Sequence, residues 1–225
     1  YCVLMRFKAT FPTLLAEFIG TYTLVLFGCG AIILSELEKL ASVLVPIIFG
    51  ATITIFVYLL GRFSGAHFNP AVTLVFLILG ETPPRTAAAC IVTQIAAGIL
   101  GVWIAHLMFE LPILQLSTTD RTGPGQWSAD LIATFGLVLT ILGGVRYRPE
   151  CIPTLVGLYI TGAYWFTAST SFANPAVTIA RSYTDTFAGI LSSHAPAFIV
   201  AQLVGAVLAV LVAGVVFAPD EHAAD

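Results

Sequence analysis

From Ala41 to Gly61 the chain runs twenty-one residues without a charge. About 20 apolar residues are what a helix needs to cross a bilayer. Comparable stretches recur along all 225 residues, so one buried helix in a large soluble protein does not account for them. Only 9% of residues are charged and 58% are hydrophobic, whereas a soluble domain carries about a quarter charged. The deficit fits a chain whose solvent is lipid, and it predicts an all-α membrane protein. A net charge of −3 gives no reason to expect nucleic acid.

Six long apolar segments are expected to cross: Phe11–Leu34, Ala41–Phe63, Arg85–Phe109, Ala129–Val145, Pro153–Ala168 and Ala195–Phe217. Two more, Asn69–Leu79 and Asn174–Ala188, are too short to cross. Loop cations set orientation. With the N-terminus in the cytoplasm, Arg6, Lys8, Arg62, Arg85, Arg146 and Arg148 lie inside, against Lys39, Arg121 and Arg181 outside. That balance predicts both termini on the cytoplasmic side. The short N-terminal tail leads straight into a span and does not read as a cleavable signal peptide. Cys2, Cys29, Cys90 and Cys151 lack metal-ligand spacing and read as reduced packing residues.

The chain repeats itself. Ala16-Glu17-Phe18-Ile19-Gly20-Thr21-Tyr22 is answered by Ala129-Asp130-Leu131-Ile132-Ala133-Thr134-Phe135. Asn-Pro-Ala-Val-Thr occurs at Asn69 and again at Asn174, and the Gln94 segment matches the Gln202 segment. A single domain over 1–225 with halves at about 11–110 and 129–217 follows. Each half has three crossings, an odd number, so the second copy enters the membrane inverted. The two short segments then dip in from opposite faces, and their starts meet near the midplane.

Asn favours the N-cap and Pro the first helical position, so Asn69-Pro70 and Asn174-Pro175 each read as a helix start. Irregular backbone at membrane depth is tolerated where it is buried or lines water. Two facing helix starts therefore imply an aqueous path whose centre, carrying about half a positive charge from each dipole, disfavours cations. The Asn amides can donate to a passing oxygen, and Ala71 and Ala176 leave room. The segments "AEFIGTYTLVLFGCG" and "SGAHFNPAVTL" and the second Asn-Pro-Ala resemble the aquaporin and aquaglyceroporin channels over nearly the whole chain. The resemblance implies six transmembrane helices with two re-entrant half-helices, in a homotetramer with one pore per subunit.

It also implies an outer constriction of four positions, which fall by counting on Phe49, Gly162, Ser171 and Val177. The family pattern places arginine where Val177 stands, and water-selective members place histidine where Gly162 stands. The constriction is therefore expected to be wider and less polar. Gly162 has a second reading as a small residue at a helix contact. Arg181, one turn beyond Val177, reads either as a vestibule cation that draws in anionic or strongly polar solutes or as an ion-pair partner of Asp185. "FANPAVTIARSYTDTFAGI" is similar to a narrower group, the aquaglyceroporins of bacterial arsenic-resistance operons. That likeness implies arsenous acid and methylated arsenicals among the solutes.

Glu17 and Asp130 are acids inside spans and read as a proton relay or as braces for each half's loop. His67 reads as a gate or as a loop hydrogen bond, Gln94 and Gln202 as glue between helices. The loop Ser117–Trp127 is expected over the outer face with Arg121 near the vestibule. No nucleophile–base pair, phosphate loop or metal cluster is visible, so an enzyme, a cofactor or a metal is not expected. The expectation is a passive, multi-pass channel of the inner (plasma) membrane for small neutral solutes: glycerol-like polyols, metalloid acids, methylated arsenicals and water. The competing classes are an ion-coupled secondary transporter and a poorly conducting structural membrane protein.

Overall fold

The computed structural model describes residues 7–38 and 43–218. Arg6, Lys39 and Cys2, named above, lie outside the described residues. The elements are α1 (Phe11–Leu37), α2 (Leu44–Ser64), α3 (Pro70–Ile78), α4 (Pro84–Met108), α5 (Pro124–Tyr147), α6 (Ile152–Phe166), α7 (Pro175–Arg181) and α8 (Ala195–Val216), with a 3₁₀ turn at Pro149–Cys151 before α6. α1, α2, α4, α5 and α8 are each long and apolar enough to cross a membrane. The sixth bundle helix, α6, has only 15 residues, about 22 Å at 1.5 Å per residue, and the 3₁₀ turn extends it.

The halves pack alike. α1 lies along α4 and α2, α5 lies along α8 and α6, and α2 and α6 join the two sets. Close approach is possible because glycine sits at matching contacts. A methyl on Gly101 would meet the Tyr22 carbonyl of α1, and one on Gly205 the Leu131 carbonyl of α5. Where α2 crosses α6, Gly50 and Gly157 face each other's backbone, flanked by Thr54 and Thr161. Each threonine returns its hydroxyl to its own helix, Thr54 to the Gly50 carbonyl and Thr161 to the Gly157 carbonyl, both at 2.9 Å. Small residues substitute here for the hydrophobic drive that lipid removes. The outward surface is aliphatic and aromatic, with Leu59, Val92, Leu158, Val200 and Val215 exposed.

The half-helices α3 and α7 are wedged against α4 and α8 and approach each other at their N-termini. Lys8, Arg62, Arg85, Arg146 and Arg148 are exposed at the end of the bundle where α1 begins. At the other end Arg121 and Arg181 are buried.

Candidate pore

Each half-helix begins with its asparagine. The Asn69 side chain accepts from the Ala71 amide at 2.8 Å, and that of Asn174 from the Ala176 and Val177 amides at 2.9 and 3.3 Å. These bonds satisfy helix-start donors that have no intrahelical partner. The amide nitrogens cross over. Asn69 Nδ2 donates to the Ala173 carbonyl at 2.7 Å, and Asn174 Nδ2 to the Phe68 carbonyl at 2.9 Å. A carboxamide carries two N–H donors, so each asparagine staples the two loops with one and keeps the other for the void it lines.

The loops before the helices are strained in the same pattern. Ala66 and Phe68 have φ of 51° and 49°, and Ser171 and Ala173 have 51° and 45°. Left-handed backbone costs a residue with a Cβ roughly 1–2 kcal/mol. A buried acid in each half offsets it. Glu17 accepts from Ser64 Oγ at 2.5 Å, the His67 and Phe68 amides at 3.0 and 2.8 Å, and Gln94 Nε2 at 2.6 Å. Asp130 accepts from Ser169 Oγ at 3.0 Å, the Ala173 amide at 3.2 Å and Gln202 Nε2 at 2.6 Å. Gln94 and Gln202 reach on to Thr73 and Thr178 of the half-helices at 3.0 and 2.8 Å. Neither acid lines the void, so the geometry favours the brace over the proton relay and leaves a coupling ion no exposed carboxylate at the centre.

The void has a cavity volume of about 90 Å³. Its wall is made of side chains four apart: Phe49, Ile53 and Val57 on α2, Ile152, Val156, Ile160 and Tyr164 on α6, and Leu137 and Ile141 on α5. The half-helices add Val72 and Phe76, and Val177 and Arg181. Residues four apart keep one helical face. From Ile152 to Tyr164 the stripe climbs about 18 Å. His67 also lines the void, stacked on Phe76 at 4.8 Å with Nδ1 3.2 Å from Thr73 Oγ1. Ala66, His67, Ser171 and Phe172 also line the void, and no described residue donates a hydrogen bond to their carbonyls.

Of the four constriction positions, Phe49, Ser171 and Val177 line the void, and Gly162 does not. Gly162 is exposed, with nothing within 4 Å of the place a Cβ would take. Two residues along a helix turns the side chain about 200°, so Gly162 faces away while Tyr164 faces in. The Tyr164 ring lies 6.2 Å from that of Phe49. The α6 position of this wall is therefore an aromatic, which the count from Asn174 missed. Pro70, Ala71, Pro175 and Ala176 sit beside the asparagines, each buried in the first turn of its half-helix, and none of the four borders the void.

Arg181 is 2% exposed and does not pair with Asp185. Its Nε donates to the Ala188 carbonyl, and its guanidinium lies 3.9 Å over the Phe172 ring. Asp185 instead accepts from the Thr118 amide and hydroxyl at 2.8 and 2.7 Å. Those bonds hold its carboxyl below the usual carboxylate range. Arg121, in the loop before α5, donates to the Gly189 and Phe187 carbonyls at 2.9 and 2.7 Å. Together the two arginines fasten three successive carbonyls of the segment that follows α7.

Residues 5–164 match the family model described as Major intrinsic protein, which is more than half of the chain. The chain belongs to the major intrinsic protein family. It is 52% identical over 198 residues to Aquaglyceroporin AqpS of Rhizobium meliloti (strain 1021), covering 86% of this chain and 85% of that one. It is 38% identical over 158 residues to Aquaporin NIP1-2 of Arabidopsis thaliana, where the match spans 65% of this chain and 53% of the plant protein. The X-ray structure of the aquaglyceroporin from Plasmodium falciparum superposes with a TM-score of 0.77 over 92% of this chain and 97% of that one. At 20% identity that likeness speaks for the fold. This member of the major intrinsic protein family is thus a multi-pass membrane protein and a passive channel for small solutes, not an enzyme.

Proposed function

We propose that the void is the conduction path and that it passes glycerol-like polyols, arsenite and other metalloid acids, methylated arsenicals and water. The observation that carries this reading is a void lined by apolar side chains of α2, α5 and α6 together with the two asparagines and the loop residues that precede the half-helices. A polyol in such a slot sets its carbon side on Val156, Ile160 and Val177 and exchanges its water for the polar side. The helix starts of α3 and α7 converge at Asn69 and Asn174 and oppose cations there. Selection by size and polarity falls to Phe49, Tyr164, Ser171 and Val177, with Arg181 in the vestibule one turn outward. Valine in place of a guanidinium removes a hydrated charge from the wall and leaves room for a methyl group. The named relative is an aquaglyceroporin, which supports the polyol reading.

The exposed cations at the α1 start support cytoplasmic termini. That end is called inner hereafter, in the inner (plasma) membrane of the cell. The aliphatic outer surface suits lipid and the homotetramer that the family likeness implies. The experiment is stopped-flow light scattering of proteoliposomes against water, glycerol, arsenite and methylarsenicals, with Val177→Arg alongside. Native protein is expected to speed glycerol entry severalfold over empty vesicles, with the variant slower for the larger solutes. Entry no faster than in empty vesicles overturns the proposal.

A further inference from the structure

Two buried arginines stand at the outer end of the bundle, Arg181 lining the void and Arg121 beside it on the Phe172 ring, and neither has a carboxylate partner among the described residues. The ion pair found there, His194 with Asp120 at 3.2 Å, involves neither. Asp185, the acid nearest Arg181 in sequence, is occupied by Thr118. Both guanidinium groups lie on the Phe172 ring, Arg181 at 3.9 Å and Arg121 at 5.5 Å. Burying a cation without a counter-charge is costly, and two that share one ring also repel each other. Arg121 spends its Nε and Nη2 on backbone carbonyls. Arg181 spends only its Nε, and its Nη2 has no partner.

Two hydroxyls nearby are in the same state. Ser171 Oγ and Thr170 Oγ1 are buried without a hydrogen-bond partner, and both residues line the void with Arg181. A guanidinium offers only donors, in a planar fork suited to oxygens, and hydroxyls can donate as well. Deeper along the path stand Val177, Phe49 and Ile160, which offer no donor to a charged group. An anion held at this mouth therefore has its donors there and must give them up to cross the apolar stretch that separates it from the Asn69 and Asn174 amides.

We propose that Arg181, Ser171 and Thr170 form a binding subsite for a small monovalent oxyanion at the outer mouth, and that a bound anion obstructs the passage of neutral solutes. The proposal rests on the void being the conduction path. The probe is nitrate, which carries three acceptor oxygens and does not titrate near neutrality. Glycerol entry is followed in proteoliposomes holding sodium nitrate or sodium gluconate at equal osmolality and ionic strength, gluconate being the bulkier anion.

Nitrate is expected to slow glycerol entry through the native channel at least about threefold, saturably. Arg181→Gln is expected to bring the nitrate-to-gluconate ratio back to one, and Arg181→Lys to retain part of the block. Thermal melting of the detergent-solubilised protein provides a second readout. Nitrate should raise the native midpoint, and should raise that of Ser171→Ala by less. Equal flux and equal midpoints in the two salts overturn the proposal, as does a block that persists in Arg181→Gln. If the native protein passes no glycerol at all, the conduction reading fails, and the melting series alone decides the subsite.

Discussion

The loop that precedes α3 and the loop that precedes α7 are built on the same plan and finish differently. Both place non-glycine residues in the left-handed region (Ala66 and Phe68 in one, Thr170, Ser171 and Ala173 in the other), cap a half-helix with asparagine and rest on an acid–glutamine–threonine set. A serine in each, Ser64 or Ser169, bonds both the acid and the backbone two residues on. The acids differ by one methylene. Glu17 holds its donors at 2.5–3.0 Å, whereas Asp130 holds Gln202, Ser169 and Ala173 at 2.6–3.2 Å with the Phe172 amide beside them. The mouths differ more. The inner one carries a histidine stacked on Phe76, and the outer one carries two arginines on Phe172. A repeated frame holds the centre symmetric, and unrepeated side chains make the two entrances unlike.

Removing a brace should break the comparison most severely. Glu17→Ala strands four donors, and each unsatisfied buried group costs about 1–3 kcal/mol. Against a total stability of roughly 5–15 kcal/mol, the folded channel should be lost, seen as aggregation in size-exclusion chromatography. Asp130→Ala releases donors held by longer bonds and should leave a larger folded fraction. Equal losses would show that the extra methylene of Glu17 adds nothing.

Next in size is Val177→Arg. A second guanidinium one turn below Arg181 narrows the wall and sets two like charges together. Glycerol flux should fall about tenfold, a barrier increase of roughly 1.4 kcal/mol. Flux unchanged by this variant would place the constriction elsewhere. A smaller contrast is available on α6. Tyr164→Ala should raise flux of the bulkier solutes about threefold, whereas Gly162→Leu should leave flux within about twofold, because only Tyr164 faces in. The reverse ranking would restore Gly162 to the filter.

The smallest effect concerns the Thr118 bonds to Asp185. The folded carboxyl is held below its ordinary range, so its contribution is present above the unfolded pKa and is lost as pH falls through the folded one. Asp185 is exposed, and the gain is a fraction of a kcal/mol. Thr118→Ala should therefore lower the melting midpoint by about a degree at neutral pH and not at all once the carboxyl is protonated. The same shift at both pH values would mean that the threonine acts by packing alone.

Much of this was legible in the sequence, for identifiable reasons. Lipid solvent forces long apolar runs, and a half-helix needs a cap, so spans and Asn-Pro starts appear as letters. The pairing of Glu17 with Asp130 and of Gln94 with Gln202 was visible as repetition. The facing residue on α6 was not, because counting back from Asn174 crosses an irregular loop whose path the letters do not fix. The four-residue stripe Ile152, Val156, Ile160, Tyr164 held that signal and points to Tyr164 once helical phase is used. The cross-stapling of Asn69 and Asn174 and the grip of Arg121 on the Phe187–Gly189 backbone depend on segments about 65 to 105 residues apart meeting in space. No local pattern encodes such contacts.

The most direct test of a passive path past the two asparagines is glycerol entry into proteoliposomes with no ion gradient across the membrane. The geometry predicts entry severalfold faster than in empty vesicles, unchanged when a proton or sodium gradient is imposed. Entry that appears only under such a gradient, or that matches empty vesicles, would contradict it.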